Sequence, residues 1–301
     1  MTLPTPPAPI GPALSEAAHF IENTLQALLP EPAGPETRLL EAMRYATLGA
    51  GKRLRAFLVL QSGRLFGVDR RPLGRVAAAV ECVHAYSLAH DDLPAMDDDD
   101  MRRGKPSLHK AFDEATAILA GDALLTLAFG LIASPEAHGD PFVRCDLTAR
   151  LATAAGHAGM VGGQMMDLAF EGKDTGLPEI TRLQRMKTAA LFTFCCEAGA
   201  IMGKASPQVR EKLTAFGSDL GLAFQIADDL LDLEGDPSST GKSVHKDHVR
   251  GKATVASAHG AERARAQAEA LAAQALGHLD LFDEKADLLR AAALFAVARK
   301  G

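Results

Sequence analysis

Apolar residues recur at three- and four-residue intervals along nearly the whole chain, and that spacing commits it to helices. From Ser15 onward the pattern predicts helical runs over 15–30, 36–49, 53–66, 73–93, 116–133, 141–157, 159–170, 179–203, 207–232, 260–278 and 286–299. Pro30, Pro32, Pro72, Pro135, Pro141, Pro178 and Pro207 fall in or beside the gaps, because proline cannot continue a helix that reaches it. No stretch alternates as a strand does, and no repeat of fixed period is present. Residue choice agrees: alanine and leucine dominate the apolar residues, with no tryptophan and two tyrosines, a balance that favours helix over sheet. The expected architecture is all-α, a single-domain helical bundle over 14–301. Five prolines between Thr2 and Pro12 mark 1–13 as a disordered leader.

The formal net charge of −6 argues against a nucleic-acid partner. Cys82, Cys145, Cys195 and Cys196 have neither zinc-ligand spacing nor a disulfide framework, so each is expected to be a small buried hydrophobe in a reducing cytosol. The N-terminus lacks a secretory pattern. No uncharged run approaches the ~20 residues of a membrane helix; Ile118 to Pro135 comes nearest and Asp122 interrupts it. A soluble, cytoplasmic protein is the expectation.

Acidity is concentrated in two places. Between Asp91 and Asp100 lie six aspartates, at the end of an apolar run. Neighbouring carboxylates about 4 Å apart repel by ~1 kcal/mol in water and ~4 kcal/mol where partly shielded. Such a run is tolerated if water solvates it or cations neutralise it. An EF-hand is excluded, since a loop starting at Asp97 has Arg102 at its sixth position and Leu108 at its twelfth. The second cluster, Asp228-Asp229-Leu230-Leu231-Asp232, sets Asp228 and Asp232 on one helical face, about 6 Å apart along the axis. Gln225 lies near that face, and Asp236 would extend it by one turn. Unpaired charge in an apolar segment is expensive, so two such clusters suggest a shared task. Carboxylate oxygens suit Mg²⁺, which bridges to substrate phosphates; a phosphorylated ligand held by both clusters follows.

Cations that could meet such a ligand stand in Gly51-Lys52-Arg53-Leu54-Arg55, with Lys52 and Arg55 at i, i+3 where a helix begins. Arg102 and Arg103 follow the first acidic run; compensating its charge would be role enough for them. Lys187-Thr188, Lys242 and His84 are further candidates. Glu234 to Gly251 is polar and rich in turn formers, either a surface loop or a lid.

These residues together resemble the trans-prenyl diphosphate synthases, of the bacterial short-chain kind. His84 to Ser107, HAYSLAHDDLPAMDDDDMRRGKPS, is similar to the family's first aspartate-rich motif, and FQIADDLLD, Phe224 to Asp232, to its second. Gly51 to Arg55 resembles the GKRLR segment and Lys187-Thr188 the lysine–threonine pair. The motifs span about residues 50 to 250 in family order. The resemblance implies an isoprenoid-synthase bundle around a deep central cavity, a homodimer, three Mg²⁺ per active site, and condensation of isopentenyl diphosphate with an allylic diphosphate. It assigns Asp91 and Asp97, supported by Asp92, to two magnesium ions, and Asp228, supported by Asp229 and Asp232, to the third. It gives Arg102, Lys187 and Lys242 to the allylic diphosphate, and Lys52, Arg55, His84 and Arg103 to isopentenyl diphosphate. Thr188 and Gln225 lie beside the reacting carbons, with Lys187 nearby, and Gln164 and Asp167 form a further polar pair facing the cavity. Tyr86 and Ser87, five and four residues before Asp91 and ~6–7.5 Å up the helix, would limit chain growth. A bulky Tyr86 implies a farnesyl (C15) product; geranylgeranyl and other short-chain products are the alternatives.

Two departures stand out: Ala56 where the family usually has proline, and Ala253-Thr254-Val255-Ala256-Ser257 in place of a Ser/Thr-Tyr-Pro pattern. Competing chemistries are weaker. Glu16-Ala-Ala-His19 and Glu81-Cys-Val-His84 match the Glu-x-x-His of di-iron bundles, but two further inward glutamates cannot be assigned. A non-catalytic synthase-like subunit would tolerate loss of one aspartate cluster, whereas both are complete. A terpene cyclase would carry an Asn/Ser/Glu triad in place of the second.

Overall fold

A computed structural model describes residues 3–49, 51–173, 175–234 and 254–298. Fourteen α-helices of the described residues follow the expected order, and the chain falls into two compact units, 12–60 with 69–148 and 1–11 with 61–68 and 149–301.

The first unit contains α1 (Ile10–Leu28, but for its first two residues), α2 (Thr37–Thr47), the start of α3 (Leu54–Arg64), α4 (Arg70–Asp91), α5 (Leu108–Ala111), α6 (Glu114–Ala133) and the start of α7 (Pro141–Ala155). Its centre is α4, where Val76 to Val80, Cys82 and Val83 are wholly inaccessible. A helix apolar on every side belongs inside, and α4 packs along α6 and against α2. Gly121 makes the α4–α6 approach possible, because a Cβ there would lie 2.1 Å from His90 Nε2. Helix α6 starts where the Asp113 side chain accepts the Thr116 N–H at 2.7 Å, satisfying one of the orphan donors of the first turn. A two-residue hairpin pairs β1 (Met101–Arg102) with β2 (Lys105–Pro106).

The second unit contains α8 (Met160–Phe170), α9 (Leu177–Gln184), a π-helical turn (Arg185–Ala189), α10 (Ala190–Met202), α11 (Pro207–Glu234), α12 (Val255–His259), α13 (Ala261–His278), a 3₁₀ turn (Glu284–Ala286) and α14 (Asp287–Ala298). Its axis is α11, which packs on α10 and α13. Gly217 and Gly221 open one face of α11: added Cβ atoms would lie 2.7 Å from Thr193 Cα and 2.6 Å from Ala189 Cα. Small residues thus set how closely the backbone of α11 meets the π turn.

Two expectations need correction. Helix α1 begins at Ile10, inside the segment assigned to a disordered leader. Pro12 is accommodated because the first turn has no intrahelical N–H bonds to lose. Cys145 is exposed, unlike the other three cysteines. Helix α6 is, by length and composition, apolar enough to cross a membrane despite Asp122, although 44 % of its most apolar window is buried and it packs on α4 and α2. The altered segment near 254 is ordered locally: Thr254 and Ser257 form a reciprocal capping box that starts α12. Lys242, Asp236 and most of the polar run from Glu234 to Gly251 lie outside the described residues.

Candidate active site

In the first unit the acidic run folds back over the end of α4. The Asp97 N–H donates to Asp91 O at 2.7 Å and the Asp99 N–H to Asp92 O at 3.1 Å, while Asp98 takes a left-handed φ of 46°. Asp91 closes α4 and Asp92 caps it, 2 % exposed. The Arg102 guanidinium forks onto Asp92, with Nε 2.9 Å from Oδ1, and reaches Asp99 at 3.2 Å. Burial raises the Asp92 carboxyl above its ordinary range, and Arg102 opposes that rise without cancelling it. Arg102 is therefore held by Asp92 and Asp99, the charge compensation that its place after the acidic run suggests. A cavity of about 50 Å³ is lined by Leu88, Ala89, Asp92, Arg102, Arg103 and Lys105 among others.

The β1–β2 turn aims Arg103 at His84: its Nη2 lies 3.2 Å from His84 Nε2, and Arg55 Nη1 lies 3.5 Å from the same atom. Burial, then Arg55 and Arg103, push the imidazole well below its ordinary value, so the ring is neutral at pH 7. Lys52 does not share a helical face with Arg55, since α3 starts only at Leu54 and Arg53, at φ 49°, turns the chain between them. Arg53 itself is buried against Glu81 at 2.8 Å, which also removes Glu81 from any di-iron role. The Glu16 carboxylate likewise pairs with Arg70 at 2.8 Å. Tyr86 is buried, edge-on to His90 with centroids 5.7 Å apart, and burial, then Asp91, push its hydroxyl up to about 12. The Ser87 hydroxyl donates back to His84 O at 2.9 Å.

In the second unit the π turn carries Lys187 and Thr188. π turns are rare and often mark functional positions. The extra residue directs Lys187 Nζ to Asp167 Oδ2 at 2.5 Å and the Thr188 hydroxyl to Gln225 Oε1 at 2.5 Å. Gln225 Nε2 continues to Asp229 Oδ1 at 2.7 Å, and Gln184 Nε2 donates to Asp229 Oδ2 at 2.9 Å. Asp229 is buried while Asp228 is exposed, one turn before the half-buried Asp232. Gly163 brings α8 against the π turn, for a Cβ there would stand 2.2 Å from Lys187 N. Gln164 is buried with neither carboxamide atom hydrogen-bonded. Buried polar groups nearly always find partners, so an orphaned carboxamide beside this turn is suited to a ligand.

Two features escaped the sequence. Periodicity does not distinguish a π turn from the α-helix around it. Asp98, Asp100 and His109 also bring ligand atoms within 4.8 Å of one another; the hairpin between them hides that grouping from any helical spacing.

The family model described as Polyprenyl synthetase matches residues 36–292. The chain belongs to the polyprenyl synthetase family. Among relatives of this polyprenyl synthetase, the farnesyl diphosphate synthase of Escherichia coli (strain K12) is 47 % identical over 239 residues, 78 % of this chain and 79 % of the relative. That of Haemophilus influenzae is 43 % identical over 292 residues, 95 % of this chain and 97 % of the relative. The apo crystal structure of an FPP/GFPP synthase from Zymomonas mobilis superposes with a TM-score of 0.88 at 49 % identity, covering 96 % of this chain and 99 % of that one. The fold is accordingly the all-α isoprenoid synthase fold.

Every donor atom that Asp91, Asp97, Asp228 and Asp232 offer is a hard carboxylate oxygen, the class Mg²⁺ takes. The residues fit the ion. The Asp98–Asp100–His109 group includes an imidazole nitrogen, a donor better matched to transition metals.

Proposed function

We propose that the protein condenses isopentenyl diphosphate with dimethylallyl and then geranyl diphosphate to give farnesyl diphosphate. The observation that carries this is the complete pair of aspartate motifs, at the end of α4 and on α11, in a chain whose bacterial relatives of 43–47 % identity are named farnesyl diphosphate synthases. On this reading Asp91 and Asp97, with Asp92 in support, hold two Mg²⁺, and Asp228, with Asp229 and Asp232, holds a third. Bound Mg²⁺ would neutralise the diphosphate and stabilise the negative charge that gathers on it as it leaves.

The chain's own residues do the rest. Arg102, Lys187 and Lys242 bind the allylic diphosphate, and charge-assisted hydrogen bonds to its oxygens strengthen as the C–O bond breaks. The Thr188 hydroxyl and Gln225 carbonyl, already tied to each other, present oxygen dipoles to the allylic cation. Gln164 and Asp167 extend that polar wall. Lys52, Arg55, neutral His84 and Arg103 hold isopentenyl diphosphate so that its double bond attacks C1 of the cation. The released diphosphate takes the proton that the new C–C bond leaves behind. No covalent enzyme intermediate is required. A cytoplasmic homodimer completes the proposal, supported by the family resemblance.

Asp91→Ala and Asp228→Ala each lower turnover about 100-fold or more while circular dichroism and Tm stay close to wild type. Near-normal turnover in either variant would overturn the assignment.

Product length is the finer part of the proposal. Tyr86, buried five residues before Asp91, supports the C15 product over longer ones.

A further inference from the structure

Arg53 and Glu81 were not among the residues that the motifs assigned, yet they form the most deeply buried ion pair of the described residues. Their side chains are 4 % and 3 % exposed, with Arg53 Nη1 2.8 Å from Glu81 Oε2. Arg53 Nη2 also donates to Glu22 Oε2 at 2.8 Å and to Thr47 O at 2.6 Å. The second Glu81 oxygen is used as well: Oε1 accepts the Ala56 N–H at 3.3 Å. Ala56 is the third residue of α3, whose first-turn N–H groups have no intrahelical acceptor. Glu81 thus caps α3 from α4, and Arg53 O accepts the first bond of that helix, from Phe57 N at 2.9 Å. Ala56 can take part because, unlike proline, it has an N–H.

Geometry gives the pair its consequence. Lys52 and Arg55 flank the left-handed Arg53 and the start of α3, so a carboxylate that fixes both fixes the two cations relative to α4. Glu81 lies three residues before His84 on the same face of α4, and His84 is the point on which Arg55 and Arg103 converge. A buried ion pair gives little net stability against a well-packed apolar replacement. Stability alone therefore explains its presence poorly, whereas placing charge does not have that weakness.

We propose that the Arg53–Glu81 pair is a positioning device that sets Lys52, Arg55 and His84 for the diphosphate of the homoallylic substrate. This rests on the assignment of those three residues to isopentenyl diphosphate in the preceding section. Misplacing a binding group by about 1 Å can cost as much as 100-fold.

The test compares Michaelis constants in four purified variants. Glu81→Gln is expected to raise the KM for isopentenyl diphosphate about tenfold or more, with the KM for geranyl diphosphate within about twofold of wild type. Because Glu81→Gln leaves a buried arginine charge, the double variant Arg53→Met/Glu81→Met is the decisive one. It roughly keeps the volume and removes both buried charges together. It is expected to fold with a Tm below wild type, because the Ala56 N–H and Thr47 O lose their partners, and still to show the raised KM for isopentenyl diphosphate. A folded double variant with wild-type KM for both substrates would overturn the proposal. Lys52→Ala and Arg55→Ala separate the two claims. A raised isopentenyl KM in these alone sinks the positioning role, while a normal KM in all four sinks the binding assignment and the inference with it.

Discussion

At the scale of single residues, spacing identified the aspartates and cations but not what each side chain touches. Asp91, Asp228 and Asp232 stand in helices and draw notice because carboxylates are costly in an apolar helix unless something neutralises them, whereas Asp97 lies in the turn beyond α4. The division of labour within each motif was not legible. Asp92 is taken by Arg102, and Asp229 by Gln184 and Gln225, contacts that reach across sequence and leave no periodic trace. The i, i+3 spacing of Lys52 and Arg55 suggests a shared face where a helix begins; the left-handed φ of Arg53 breaks that face, and Arg53 turns inward to Glu81. Tyr86 carries the product-length prediction. Tyr86→Ala removes a buried ring and is expected to yield products longer than C15 by chromatography of the dephosphorylated alcohols. An unchanged C15 profile would remove Tyr86 from the account.

At the scale of elements, the long helices were legible almost to their ends because each is marked by periodicity and a proline or glycine stop. Pieces shorter than two turns were not, since α5, α12 and the β1–β2 hairpin are too brief for a period to register. The π turn was hidden for another reason. Its residues, Arg-Met-Lys-Thr-Ala, are compatible with α-helix, and the widened turn is stabilised by tertiary contacts: Gly163 of α8 and Gly221 of α11 press against its backbone. Gly163→Ala tests that dependence. A Cβ 2.2 Å from Lys187 N forces the backbones apart, an overpacking expected to cost about 1–3 kcal/mol. Thermal unfolding should show the loss, and turnover should fall by about tenfold or more as Lys187 and Thr188 shift. Wild-type Tm and turnover together would contradict the role given to the π turn.

At the scale of the whole molecule, the helical class and the family were legible, the first from periodicity and the second from motifs in a fixed order. The division into two compact units was not, because each is assembled from separate stretches of chain and no linker of distinctive composition marks a boundary. The first aspartate motif and the residues proposed for isopentenyl diphosphate fall in one unit, and the π turn and second motif in the other. The chemistry proposed therefore requires both. The most direct test is to incubate the purified protein with Mg²⁺, dimethylallyl diphosphate and labelled isopentenyl diphosphate, then size the products. Farnesyl diphosphate should accumulate as the end product, and its formation should stop when Mg²⁺ is chelated. Failure to consume isopentenyl diphosphate with Mg²⁺ present, or consumption unaffected by chelation, would contradict the account.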